Sequence, residues 1–280
     1  MIEKNYANNY LPVIAGFLQG KTIPVKSSLP DAHEYTADNG ILLASFKNDA
    51  YHISDYGRYC SPEKAPKNSV AILSIFGAIT KYDQDCGPSG MKTKSDLMMR
   101  CYDNPNIKGI VLVIDSGGGE ARACNLMMET ISKRNKGVSA FVEDCACSAA
   151  YGIASACDTV TLNSEVAGVG SIGTLLTIAD YTRYWEQKGI NLIEIYASKS
   201  KDKNGEYYEA LKGNVEPLRK FCDTYNDKFI ASIADFRKGK ISDDQSLWST
   251  GKVFFAPEAI RLGLADNVGS LEDVINYFNV

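Results

Sequence analysis

The chain has 280 residues, is 45% hydrophobic and 23% charged, and carries a formal net charge of −4. Those figures suit a soluble globular protein with a full core, built as one large domain or one domain plus an extension. They speak against a nucleic-acid partner, because the balance is slightly acidic and the basic residues form no extended run.

Eight cysteines without a signal peptide read as reduced intracellular thiols. The opening MIEKNYANNYLPVIAGFLQG has an apolar run too short to span a bilayer, so no membrane partner is expected and the expected location is the cytoplasm. Residues 1–68 are rich in Asn, Tyr, Asp and Pro and end in the turn-prone SPEKAPKNS. They are expected to form an irregular N-terminal extension with a few short strands, and residues 69–280 the main domain.

From Val70 the pattern tightens. VAILSIF and IKGIVLVID are short β-branched runs, as expected of strands buried on both faces of a sheet. Between them TKSDLMMRCY reads as a helix stopped by Asp103, Asn104 and Pro105. EARACNLMMETISKR then places Ala123, Leu126, Met127, Thr130 and Ile131 on one helical face. VSAFVE (strand), SAAYGIASA (helix), DTVTL (strand) and NLIEIY (strand) follow. Strands alternating with helices predict crossover connections and a mainly parallel α/β sheet. Pro217 fits the first turn of a long helix, on which Leu218, Phe221, Tyr225, Phe229, Ile233 and Phe236 form a stripe suited to core or subunit contact.

Three stretches bear on chemistry. In EVAGVGSIGT, Gly168, Gly170 and Gly173 spell the G-x-G-x-x-G of a dinucleotide fingerprint, with Glu194 downstream where such a unit holds a ribose. The fingerprint needs a strand running straight into its first glycine at the first β-α turn of the sheet. Here NSEVA intervenes and the first such turn lies far upstream, so a tight loop with positive φ angles is the simpler reading. IDSGGGEA runs a buried strand into Gly117, Gly118 and Gly119 and then a helix. Amides bared there can hold an anion, but the Gly-Lys-Ser/Thr ending of a P-loop is missing. No nucleotide or other cofactor is expected.

EDCACSAAYGIAS puts Ser148 at a helix start. Such a serine ordinarily caps the helix, yet a hydroxyl followed by the amide of Ala149 also suits a nucleophile with its own oxyanion donor. Cys145 and Cys147 lack a neighbouring histidine, so no metal is expected. A serine nucleophile needs a base. The two histidines, His33 and His52, both fall in the extension, while ASKSKDKNG offers Lys199, Lys201 and Lys203. The residues by themselves do not choose among the three lysines.

Together and in this order, IDSGGGEA, CSAAYGIASACDTV, GVGSIG, IYASKSK and VFFAPEAIRLGLADNVGSLEDVI resemble the signal peptide peptidase A (protease IV) serine peptidases and the phage head-maturation proteases. The resemblance covers about residues 69–278 and implies the ClpP/crotonase fold of repeated strand-strand-helix units. It also implies a Ser-Lys dyad of Ser148 and Lys201, an oxyanion hole from Gly119, Gly118 and Ala149, and Ser171 as the serine that orients the lysine. The glycines of GVGSIG would then shape a loop that presents Ser171. Gly117 stands where such relatives often have proline, and Lys199 and Lys203 crowd the lysine assignment.

No N-terminal anchor of the signal-peptide-digesting type is read in this chain, so the resemblance leans to the phage branch. That branch implies a protein or peptide substrate such as a capsid or scaffold protein, in the host cytoplasm or the assembling phage head. It also implies a homo-oligomer in which serine and lysine meet across a subunit boundary. A lysine base must be neutral to take the serine proton, although an ordinary lysine titrates near about 10.4, so burial or a nearby cation has to favour the neutral form. Two rival classes remain open: a crotonase-like acyl-CoA enzyme, and a catalytically silent assembly protein of the same fold.

Overall fold

A computed structural model describes residues 40–47, 50–53, 60–84 and 87–279. The greater part of the expected extension, residues 1–39 with His33, lies outside the described residues. His52 falls in a strand of the sheet.

Among the described residues nine strands form one sheet. They are β1 (Leu42–Lys47), β2 (Ala50–Ile53), β3 (Ser69–Ile79), β4 (Ile107–Gly119), β5 (Gly137–Cys147), β6 (Thr159–Leu162), β7 (Gly168–Gly170), β8 (Val253–Phe255) and β9 (Asn267–Val268). The order is β2-β1-β3-β4-β5-β6-β9, with β7 beside β5 and β8 beside β7. From β3 to β9 the neighbours on this path are parallel, and β1, β2 and β8 add antiparallel.

Between the long strands lie α1 (Met91–Asp103), α2 (Ala121–Ser132) and α3 (Ala149–Ser155). Each of β3, β4 and β5 works as two strands in succession. The β3–β4 register shifts between Phe76 and Ala78, and the β4–β5 register shifts between Ile114 and Ser116. Strand β5 pairs β6 through Ser139–Val142 and then β7 through Cys145–Cys147. Each long strand is followed by a helix, and that is the repeated strand-strand-helix unit of the expected fold.

The apolar runs explain the layering. On one sheet face Val70, Ile72, Val111, Val113 and Phe141 form a cluster with Val274 and Ile275 of the helix Leu271–Asn276. The alternate residues Ala71, Leu73, Ile110, Leu112, Val138 and Ala140 are also buried, because a parallel sheet is covered on both sides. Helix α1 stops where expected: Asn104 takes the C-cap, and its side-chain oxygen accepts from the N–H of Asn106 across Pro105.

The chain forms two compact units. One runs to Gly173 and resumes at Ile230, and the other is Thr174–Phe229. The second holds α4 (Thr182–Gln187), α5 (Gly205–Leu211) and most of α6 (Glu216–Phe236). Of the expected aromatic stripe on α6, Phe229 and Ile233 are buried while Phe221 is exposed, so only its C-terminal end serves the core.

One expected strand is absent. NLIEIY has no regular structure, and Leu192, Ile193 and Ile195 are exposed, Ile195 by 92%. A β-run becomes a strand only when another strand takes its backbone N–H and C=O groups, and among the described residues none pairs with this one.

A buried ion pair fixes the junction after α6. Arg237, 1% exposed, donates to Asp266 Oδ2 at 2.8 Å and to the carbonyl of Gly263. Asp266 also takes Lys240 at 2.9 Å and the N–H of Val160 at 2.7 Å. Burial pushes the Asp266 carboxyl up, but the hydrogen bonds and charge of Arg237, with Lys240 and Val160, outweigh it and hold the group below its usual range. Arg237→Ala is therefore expected to cost about 3–5 kcal/mol in denaturant unfolding, because a half-buried carboxylate loses its main partner.

A carboxyl depressed in the folded state stabilises above its unfolded value, about 3.9, and that contribution is lost as the pH falls below it. Unfolding curves from about pH 5 down to about pH 2 should show this loss, and Asp266→Asn should flatten it. An unchanged acid limb in that variant would assign the effect to other groups.

Candidate active site

Strand β5 ends at Cys147 and α3 begins at Ala149, so Ser148 alone makes the turn between them. Its backbone sits at φ 55° and ψ −121°, a conformation usually left to glycine at the first position of a type II′ turn. Two bonds hold it there: the Ser148 N–H donates to the carbonyl of Gly170 at 2.7 Å, and its carbonyl accepts from Gly152 at 3.0 Å. The hydroxyl does not cap α3, which removes the ordinary reason for a serine at a helix start. The residue is 2% exposed.

Ala149 is the first residue of α3, a position whose amide has no intrahelical acceptor. Close packing surrounds it. The buried Cys124 thiol donates to the Ala149 carbonyl at 3.2 Å, and burial pushes that thiol up to about 12, so it stays protonated and unreactive. Two residues on, Tyr151 is fully buried and donates to the carbonyl of Leu264 at 2.9 Å, which anchors α3 to the segment around Leu264.

The three glycines of IDSGGGEA are the end of β4 and not a separate loop, with Gly118 and Gly119 paired to Ala78 and Ile79 of β3. Gly118 has φ +102°, and a Cβ there would stand 2.9 Å from Ser148 Cβ, 3.0 Å from Ala149 N and 2.8 Å from Cys147 O. Its amide is engaged, donating to Ser116 Oγ at 3.1 Å, while the Ser116 hydroxyl donates to Gly77 O at 2.6 Å. What Gly118 supplies next to Ser148 is space. Gly118→Ala is expected to cost about 2–4 kcal/mol and to lower turnover at least tenfold, read by denaturant unfolding and peptide hydrolysis. Full activity in that variant would mean the two strand ends need not approach.

The glycines of GVGSIG also depart from expectation. Gly168–Gly170 is strand β7, laid between β5 and β8, and a Cβ on Gly170 would stand 2.7 Å from the carbonyl of Lys252. Bare backbone is needed there so that two strands can flank it closely, with Gly170 adjoining Ser148. Ser171 follows at φ 49°, its N–H donating to Lys252 O at 2.7 Å, with the residue half-buried. Gly118, Ser148, Ala149 and the β7 end that leads into Ser171 thus assemble in one unit.

Lys201 belongs to the other unit. It lies with Lys199 and Lys203 in a run of tight turns ahead of α5, and all three are exposed. Sequence reasoning missed Ser116 and Tyr151. Ser116 was visible in DSGGG, but its bond to Gly77 depends on strand pairing that no local pattern reports.

The fold and this strand-to-helix serine define a class, and comparison with known proteins identifies it. The model of "Peptidase family S49" matches residues 130–279. The chain belongs to that family.

Its relatives include the head-tail preconnector protein of Enterobacteria phage P21, 28% identical over 75% of this chain and 42% of that one. A putative protease of Methanocaldococcus jannaschii is 30% identical over 61% and 55% of the two chains. Capsid assembly protease C of Escherichia phage lambda is 27% identical over 98% and 62%. The chain thus spans between 42% and 62% of the length of these relatives. Similar solved structures include a ClpP1 variant from Listeria monocytogenes, with TM-score 0.46 and 14% identity over 73% of this chain and 94% of that one. An enoyl-CoA hydratase/isomerase family member has TM-score 0.43 and 20% identity over 73% and 67%. Among the described residues no helix is long and apolar enough to cross a membrane.

Proposed function

We propose that this member of the peptidase family is a serine endopeptidase with Ser148 as nucleophile and Lys201 as general base. The observation that carries the reading is the backbone of Ser148. A non-glycine residue at φ 55° between a strand and a helix, its hydroxyl not used as a cap, is strain kept at a functional position.

The Ser148 hydroxyl attacks the scissile carbonyl carbon while its proton passes to the neutral amine of Lys201. The carbonyl becomes an oxyanion, received by the amide of Ala149 and, as the resemblance implies, that of Gly119. The intermediate collapses, the C–N bond breaks, and the leaving amine takes the proton back from the lysine. Water then attacks the ester carbonyl as its proton passes to the lysine, and the bond to the Ser148 oxygen breaks as that oxygen takes the proton back, releasing the acid. Ser171 orients the lysine in this scheme.

The substrates are proteins of phage capsid or scaffold type, as the names of the phage relatives suggest, and the enzyme acts as a homo-oligomer in the host cytoplasm or assembling head. A fluorophosphonate probe tests the nucleophile. Label on the parent protein and none on Ser148→Ala supports it, whereas equal label on both would move the reactive hydroxyl elsewhere.

A further inference from the structure

Within the unit Thr174–Phe229 lies a cavity of about 430 Å³, walled by α4, α5 and the chain between residues 190 and 194. Four aromatic residues line it, Tyr181, Trp185, Tyr207 and Tyr208, together with Glu186 and Glu194. No lysine or arginine is among its lining residues. Glu194 accepts from the hydroxyl of Tyr208 and, at 3.3 Å, from that of Tyr196. Tyr208 is further set edge-on against Tyr207 at 5.5 Å and Tyr196 at 6.4 Å. The ring wall and the acid are therefore fixed to each other. Among the described residues neither Glu186 nor Glu194 forms an ion pair.

Aromatic rings beside two acids that, among the described residues, form no ion pair make a site for a cation with an apolar stem. Ring faces attract a guanidinium or ammonium, carboxylates accept its N–H groups, and apolar side chains such as Leu192 and Leu211 can cover the methylenes. We infer that this cavity binds an arginine or lysine side chain of a protein substrate, as an accessory site that holds basic segments of the polypeptide to be cleaved. Two acidic residues and no basic one in the lining favour a cationic side chain as the occupant over an acidic or purely apolar one. The inference rests on membership of the peptidase family and not on which serine or lysine does the chemistry, and binding is read separately from turnover.

The test is titration of the full chain with a blocked Gly-Arg-Gly-Arg-Gly peptide, with its citrulline twin as the neutral control. Mass spectrometry confirms that both peptides stay intact. Trp185 reports occupancy, while Trp248, fully buried, serves as a constant background. The arginine peptide should bind at least tenfold more tightly than the citrulline peptide and shift the emission, and Trp185→Phe should lose that shift. Glu186→Gln should weaken binding severalfold and reduce its dependence on salt. Trp185→Ala checks the result independently of the acids. Equal binding of the two peptides, or arginine binding unchanged in both Glu186→Gln and Trp185→Ala, would overturn the inference. So would loss of peptide binding as protein concentration rises and the chain self-associates, which would make a second copy the occupant.

Discussion

Ser148→Ala is expected to lower peptide turnover by about ten-thousand-fold or more while the protein still folds. The fold should survive because the interactions that set the turn are backbone ones, from Ser148 N–H to Gly170 and from Gly152 N–H to Ser148. Alanine leaves the strain in place, since a Cβ at φ 55° is as crowded on alanine as on serine. Glycine removes it. Ser148→Gly should therefore be as inactive as Ser148→Ala yet about 1 kcal/mol more stable than the parent, seen as a raised urea midpoint at constant slope. Stability and activity moving in opposite directions at one residue is the signature of strain kept for function. Cys147→Ala, one position earlier, should stay within about threefold of the parent rate, because the proposed nucleophile is the Ser148 oxygen and not a thiolate. Equal turnover of a casein-type substrate by Ser148→Ala and the parent would remove Ser148 from the mechanism.

The second large effect is expected at the base. Lys201→Ala should match the loss at Ser148, whereas Lys199→Ala and Lys203→Ala should keep most of the activity. Lys201→Arg should fail as well, because a guanidinium cannot release its proton to become a base. Members of one catalytic unit fail together, so the Ser148→Ala, Lys201→Ala double variant should be little worse than either single one. The parent's kcat/KM should climb with pH along a limb that reports the free base. If Lys199→Ala is the dead variant instead, the assignment within the loop moves by two residues.

The same pair of variants examines assembly. Ser148→Ala and Lys201→Ala subunits, dissociated and reassembled together, should recover part of the activity if serine and lysine meet across a subunit boundary. Absence of recovery in demonstrated hybrids would place both groups in one chain.

Much of the architecture was legible from the chain alone, for local reasons. VAILSIF and IKGIVLVID are short, mostly apolar and β-branched, which suits strands covered on both faces, and both are strands. Asn104 and Pro105 end α1 because of backbone chemistry carried by those two residues. Family membership was legible too, since several ordered motifs together are specific where each alone is weak.

What tertiary structure decided were the features that depend on distant partners. GVGSIG satisfies a loop pattern and a strand pattern equally well. Pairing with Cys145–Cys147 and Val253–Phe255 makes Gly168–Gly170 a strand, and the carbonyl of Lys252 explains why Gly170 can carry no side chain. NLIEIY has the composition of a strand, but among the described residues no strand pairs with it, so composition misled there. Ser148 could be named as a helix-start serine, but its φ of 55° and its uncapping hydroxyl arise from the way β5, β7 and α3 converge, 22 residues of chain separating Ser148 from the Gly170 carbonyl it donates to. Sequence carries the preference of each segment for its own conformation. The backbone strain and the close approaches that make a site belong to contacts between segments, and only the folded chain sets those.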